Sequence, residues 1–202
     1  MSAAVEALLP AREDLTGARL RLFETALRLF GERGYHAVSV RDLMAELGQV
    51  SGALYFHVPG KEALLFELVR IGLESHRDRL QEALLEAGTD PVDQARAVVE
   101  AHVRVHLDFV ELARVTNREA RALTGENQAV ATTMRAESAR ILLDVVKRGS
   151  SKGVFHVADP ELAVQAIGSM GIRAVEWWTP DSAQDKEHVV RTYADYALKV
   201  LI

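Results

Sequence analysis

The sequence predicts an all-α fold of about nine helices, and three observations carry that prediction. Apolar residues recur three and four positions apart along nearly all of the 202-residue chain, which is the spacing of one helix face. Alternating apolar and polar runs of strand length are missing; "GVFHVAD" at Gly153 is the one candidate and is too short. Glycine, proline and capping residues punctuate the periodic segments, and no repeat or low-complexity tract interrupts them.

The elements follow in order. The first fifteen residues are expected to be loosely ordered. A helix covers about 16–33, with Leu20, Phe23, Leu27 and Phe30 on one face and Gly34 closing it. "SVRD" opens the next: Ser39 caps it, and Asp42 three residues on completes a capping-box pattern. Val40, Leu43, Met44 and Leu47 form its inner face, and Gly48 stops it. After a turn too brief to be more than a corner, a second short helix covers about 50–57. Pro59 and Gly60 break the chain, and the period resumes from Lys61 through Leu64, Leu68, Ile71 and Ser75 to about Glu86. Asp90-Pro91 and Asp159-Pro160 each put an acceptor at the N-cap and proline at the first helical position. "RALTGEN" around Gly125 and "KRGSSKG" from Lys147 read as breaks. Helices at about 91–109, 112–123, 126–148, 160–178 and 186–201 lie between these signals.

Composition narrows the function. Without cysteine there is no disulfide, thiolate nucleophile or thiolate metal site. No apolar run reaches the length of a membrane span, and the N-terminus lacks an export pattern; the expectation is a cytoplasmic protein without a membrane partner. A net charge of −5 argues against nucleic acid. The residues from Thr16 to Leu65, however, hold six Arg and Lys against five Asp and Glu, so this stretch alone is not acidic. Phosphate contacts are local within a Debye length.

Helix, short helix, tight turn, short helix is the helix-turn-helix arrangement. The last of these must enter a major groove that admits one helix. Gly52 and Ala53, in its first turn, let backbone approach the bases, while Tyr55 and His57 carry donors towards phosphates. Leu54 and Val58, four apart, form the opposite, inward face. Lys61 adds charge at the head of the following helix, where free amides also favour phosphate. The same residues could instead make a small core with Lys61 solvated.

"TALRLFGERGYHAVSVRDLMAELGQVSGALYFHVPGKEALL", Thr25 to Leu65, resembles the DNA-binding region of the TetR family of transcriptional regulators. The matching elements are "LFGERGY", "SVRDL", "GALYFHV" and "KEALL". The resemblance implies a homodimer with a helix-turn-helix domain over 16–62 and a ligand-binding and dimerising domain over 63–202. It implies DNA contacts at Ser39, Arg41, Ser51, Gly52, Ala53, Tyr55, His57 and Lys61, with a double-stranded operator and a small-molecule effector as partners. One departure stands out. The family's Val-Ser or Val-Thr turn, whose hydroxyl caps the recognition helix, is Gln49-Val50 here, and serine comes one place later as Ser51. Either the cap moves by one residue, or Gln49 or water supplies the acceptor.

In the body, an apolar stripe after Pro91 runs through Val92, Ala95, Val99, His102, His106, Phe109 and Ala113. A His-x-x-x-His pair can hold a metal, but no acidic third ligand lies on that turn, so core or pocket histidines are the favoured reading and neither metal nor cofactor is assigned. His102, His106 and Phe109 are the first pocket candidates, with Met134 and Leu142 facing them. "ARVTNREARALTGENQAV", "KGVFHVADPELA" and "EWWTPD" are similar to TetR-type regulators of fatty-acid and sterol catabolism, which implies a coenzyme A thioester effector. Arg118 and Arg121 can pair with its phosphates, but ordinary surface ion pairing with Glu119 and nearby Asp or Glu is the favoured reading. The helix from Pro160 is rich in small residues, Ala163, Ala166, Gly168, Ser169, Gly171 and Ala174. With the last helix it suits a four-helix contact between two copies. The expected function is a ligand-released repressor. The alternatives are a metal-dependent enzyme around the histidines, or a ligand-binding module without DNA affinity.

Overall fold

A computed structural model describes residues 8–202. Eight α-helices are present among the described residues, α1 Gly17–Arg33, α2 Val40–Glu46, α3 Lys61–Glu86, α4 Pro91–Asp108, α5 Val110–Glu119, α6 Gly125–Ser151, α7 Pro160–Ala174 and α8 Lys186–Leu201. A ninth helix, Ser51–Phe56, is 3₁₀, and two three-residue 3₁₀ turns sit at Tyr35–Ala37 and Ala120–Ala122. The all-α prediction holds. No strand forms among the described residues, and "GVFHVAD" is irregular.

The chain divides into two compact units. The first comprises the described residues to Gly72 with Phe109–Ala131, the second Leu73–Asp108 with Thr132–Ile202. In the first, α1 buries Leu22, Phe23, Ala26, Leu27, Leu29 and Phe30 and packs on α2 and α5. In the second, α4 packs on α7 and α8 and buries residues on most of its circumference. That is the signature of a central helix.

Three expectations need correction. Of the first fifteen residues, 1–7 lie outside the described part, but Leu9 and Leu15 are buried and their segment is not loose. "KRGSSKG" does not break the helix at Lys147: α6 continues to Ser151. Gly149 stays inside it because any Cβ there would run into the ring of Phe155, so this glycine serves packing rather than a turn. The helix from Pro160 ends at Ala174, short of 178. The buried Trp178 turns the chain there, its indole N–H donating to the Gln184 carbonyl at 3.0 Å.

Candidate nucleic-acid interface and buried histidine cluster

Two local devices in the first unit fix the two ends of α2. At the start of α2, the Asp42 N–H donates to Ser39 Oγ at 3.1 Å and the Ser39 N–H donates to Asp42 Oδ2 at 2.8 Å, the reciprocal capping box. The Ser39 hydroxyl also donates to Asp42 Oδ2 at 2.6 Å. These bonds, led by the hydroxyl, hold the Asp42 carboxyl below its ordinary range. At the end of α2, Gly48 adopts φ +66°. The Gly48 N–H reaches the Ala45 carbonyl at 3.0 Å and the Gln49 N–H the Met44 carbonyl at 2.8 Å. This pair of bonds is a Schellman ending, and its left-handed residue favours glycine.

The next segment is helical as expected but wound as 3₁₀. Its N-cap is Val50, and no side chain caps it, so neither Ser51 nor Gln49 supplies the acceptor considered above. The Ala53 N–H bonds to the Val50 carbonyl and the His57 N–H to the Leu54 carbonyl, both at 2.9 Å. Such i→i+3 bonds are the way a short, uncapped segment satisfies its ends. Arg19 Nη1 donates to the His57 carbonyl at 2.9 Å and ties down the far end.

This winding sorts the side chains as the sequence requires. Leu54 and Val58 are buried, while Tyr55 is 64% exposed, Phe56 89% and Val50 78%. Arg41, Ser51 and Gly52 are exposed, and Ala53 and His57 half-buried. Phe56 is an exposed member of this surface that the sequence reading passed over. Its spacing of two from the inward Leu54 was the available signal, because two residues on a tight helix lie far apart around the axis.

Lys61 is engaged within the unit. Its ammonium donates to the carbonyls of Tyr35 at 3.0 Å and Val38 at 2.8 Å. It also lies 4.0 Å from the centroid of the Tyr35 ring. Burial pulls its pKa below the ordinary lysine value. Nearby, Glu62 accepts from the Thr124 N–H at 2.9 Å and the Thr124 hydroxyl at 3.0 Å, which joins α3 to the start of α6 within the first unit.

The predicted pocket residues separate. Phe109, Arg118 and Arg121 belong to the first unit, where Arg118 and Arg121 are exposed and Arg121 Nε donates to the Arg118 carbonyl at 2.8 Å. Glu119 accepts from the Tyr35 N–H at 3.1 Å. His102, His106, Met134 and Leu142 belong to the second unit, with Leu142 buried and Met134 half-buried on α6.

His102 and His106 come together there, ring centroids 4.6 Å apart, and a third ring joins them. His76, from α3, places Nε2 2.8 Å from His102 Nδ1. His102 Nε2 lies 2.9 Å from the Gly168 carbonyl, and His106 Nδ1 2.7 Å from the carbonyl of His102. A carbonyl only accepts, so His102 is protonated at Nε2 and His106 at Nδ1. The neutral His102 then accepts at Nδ1 from the Nε2–H of His76. Burial biases all three rings towards the neutral form. Burial pushes the His76 pKa well down, with the other two histidines and Arg135 adding to it. Burial lowers His102 and takes His106 to about 3. No signal on α4 could have revealed His76, which lies 26 residues upstream of His102 on another helix.

Comparison with known proteins places both parts of the chain. Residues 22–68 match "Bacterial regulatory proteins, tetR family", and residues 88–201 match "Tetracyclin repressor-like, C-terminal domain". The HTH-type transcriptional repressor KstR2 of Rhodococcus jostii (strain RHA1) is 26% identical over 189 residues, spanning 91% of this chain and 90% of that protein. The structure of the TetR family transcriptional regulator PfmR from Thermus thermophilus superposes with a TM-score of 0.80 at 32% identity, over 89% of this chain and 97% of that one. AibR, solved in complex with isovaleryl coenzyme A and operator DNA, superposes with a TM-score of 0.78 over 87% of this chain and 95% of that one. At 22% identity that likeness is one of fold.

Proposed function

Because the chain belongs to the TetR family of bacterial regulatory proteins, we propose that it is a ligand-released transcriptional repressor that binds a palindromic operator as a homodimer. The family and the relatives it matches are transcriptional regulators, which overturns the alternative of a metal-dependent enzyme.

The observation that carries the reading is the outward display of Tyr55 and Phe56 over a buried Leu54 and Val58. Large aromatic groups at that exposure cost solvation unless a partner covers them. In a major groove Tyr55 donates to phosphate or a base edge, and Phe56 suits a thymine methyl. Arg41, Ser51, Gly52, Ala53 and His57 complete the contact surface. Ser39 and Lys61 support it by holding α2 and the 35–38 turn in place. The functional division is 16–62 for DNA and 63–202 for effector and dimer contacts.

The dimer reading draws on α7 and α8. Ala163, Gly171 and Ala174 are buried within the unit, but Leu162, Ile172, Trp177, Tyr196 and Val200 are exposed large apolar groups of these helices and the turn after α7. Two such surfaces bury one another in a four-helix contact. The effector is a hydrophobic molecule of the acyl-coenzyme A class, supported by the ligand of AibR. It is bound in the second unit near His102, His106, Met134 and Leu142. The α3 helix supplies residues to both units and is the covalent route by which effector binding alters DNA affinity. A coupling of about 1–3 kcal/mol is the usual allosteric scale.

A gel shift with a palindromic fragment from the gene's own upstream region tests the proposal. The expected result is a two-protomer complex that weakens steeply with salt and is weakened in Tyr55→Ala. Binding that Tyr55→Ala and Arg41→Ala leave untouched sinks the assigned surface; no salt-sensitive binding at all leaves a ligand-binding module without DNA affinity.

A further inference from the structure

We propose that His76, His102 and His106 form a tris-imidazole site for a divalent transition-metal ion of the Zn2+, Co2+ and Ni2+ class, with a fourth coordination position left open. The inference lies within the second unit and does not depend on the operator reading.

Three geometric facts support it. One ring nitrogen from each histidine lies within 4.8 Å of the other two. Metal–nitrogen bonds of about 2.0–2.1 Å in a tetrahedral arrangement require nitrogens about 3.3 Å apart, so small rotations of the rings, opening the 2.8 Å His76–His102 pair and drawing in the His106 nitrogen, would form the site. The second fact is the disposition of the other nitrogens. His102 directs Nε2–H at the Gly168 carbonyl, and His106 directs Nδ1–H at the His102 carbonyl. A metal-bound histidine characteristically gives its remaining N–H to such an acceptor, which fixes the tautomer and aims the other nitrogen at the ion. Third, room for the cluster is built into the fold: a Cβ at Gly171 would collide with the His102 ring.

The chemistry selects the ion class. Three neutral imidazoles without carboxylate or thiolate suit borderline transition metals and not Mg2+ or Ca2+. The ion takes the position of the hydrogen between His76 Nε2 and His102 Nδ1. The His76 proton then moves to Nδ1, so that Nε2 presents its lone pair. Arg135 on α6 acts on His76 and His106 as a nearby positive charge. A cation there opposes a bare dication and favours an anion, hydroxide or carboxylate, in the open position. His36, His156 and His188 are exposed and take no part.

The test uses the full chain, stripped with EDTA and desalted, with Co2+ as the probe. The expected result is uptake of one Co2+ per chain, with visible d–d absorption. Hyperfine-shifted, exchangeable proton signals are expected from the His102 and His106 N–H groups held on their carbonyls. His76→Gln weakens binding at least about tenfold, and the surface variant His156→Ala/His188→Ala binds as the parent does. Failure of the folded parent to take up Co2+ in excess overturns the proposal. So does binding unchanged in His76→Gln, or binding lost in the surface variant. Should His76→Gln not fold, the parent's proton spectrum decides, and absence of the shifted N–H signals rejects the site. Uptake is read without DNA, so a failed gel shift leaves this result standing.

Discussion

Replacing Lys61 by methionine separates two roles for one cation. Methionine keeps an unbranched stem of similar length and removes the ammonium. The loss comprises two charge-assisted bonds, to the Tyr35 carbonyl at 3.0 Å and the Val38 carbonyl at 2.8 Å, and the 4.0 Å placement over the Tyr35 ring. A hydrogen bond to a charged group contributes about 1.5–3 kcal/mol and a partly exposed cation–π contact about 0.5–1 kcal/mol. Lys61 is half-buried, so water replaces part of both, and the relieved desolvation of the ammonium offsets more. The net expectation is a loss of about 1–2 kcal/mol. Urea unfolding with an m of about 2 kcal/mol/M should show the midpoint falling by about 0.5–1 M. Operator affinity should drop only as the 35–38 turn loosens, and the slope of log affinity against log salt should stay put. Removing one phosphate contact from each protomer of the dimer instead lowers that slope by about 1.8, at about 0.9 per contact. Unchanged stability with a slope reduced by about two units would refute the internal role and assign the ammonium to DNA.

Three further outcomes are expected. Tyr55→Ala should leave the unfolding midpoint nearly unmoved, since exposed substitutions fall within about 0.5 kcal/mol, while operator binding weakens by about 1–3 kcal/mol, measured by fluorescence anisotropy. Gly149→Ala forces a methyl into the Phe155 ring, and overpacking of this kind costs about 1–3 kcal/mol; a thermal melt unchanged from the parent would contradict the packing role. Glu62 is held below its ordinary pKa by the Thr124 N–H and then the Thr124 hydroxyl. A depressed folded pKa stabilises above the unfolded value of about 4.3 and is lost as pH falls through the folded one. Glu62→Gln should therefore flatten the acid limb of stability below about pH 4.3, with little change in its slope near neutrality.

The readable and unreadable parts of this chain divide by the range of the interaction. Ser39 with Asp42, Gly48 after α2, and the Asp159-Pro160 start of α7 all act through bonds spanning a few residues. Residue type and spacing therefore announced them in advance. The inward set of Leu54 and Val58 was legible for the same reason: a short helix beside a core has one face to bury. The 3₁₀ winding of 51–56 was only half legible. The misplaced serine revealed the missing cap, but the sequence does not say whether an uncapped segment tightens or borrows an acceptor from elsewhere.

Lys61, Gly149 and His76 are of a different kind. Each has meaning only through a partner that the chain brings from another element: the 35–38 carbonyls, the Phe155 ring, and the two imidazoles on α4. Local chemistry pointed Lys61 at phosphate because an ammonium at a helix start is drawn to an anion. The fold instead offered it two carbonyls at closer range, and at about 3 Å a fixed acceptor within the protein competes well with a charge screened by solvent. The histidines follow the same logic. A pair at i and i+4 is ambiguous between core and ligand until a third ring arrives, and only tertiary packing decides which helix supplies it. Single-sequence reading is thus strongest where a surface is displayed along one element, as at Tyr55. It is weakest where function is assembled between elements, as in the histidine cluster.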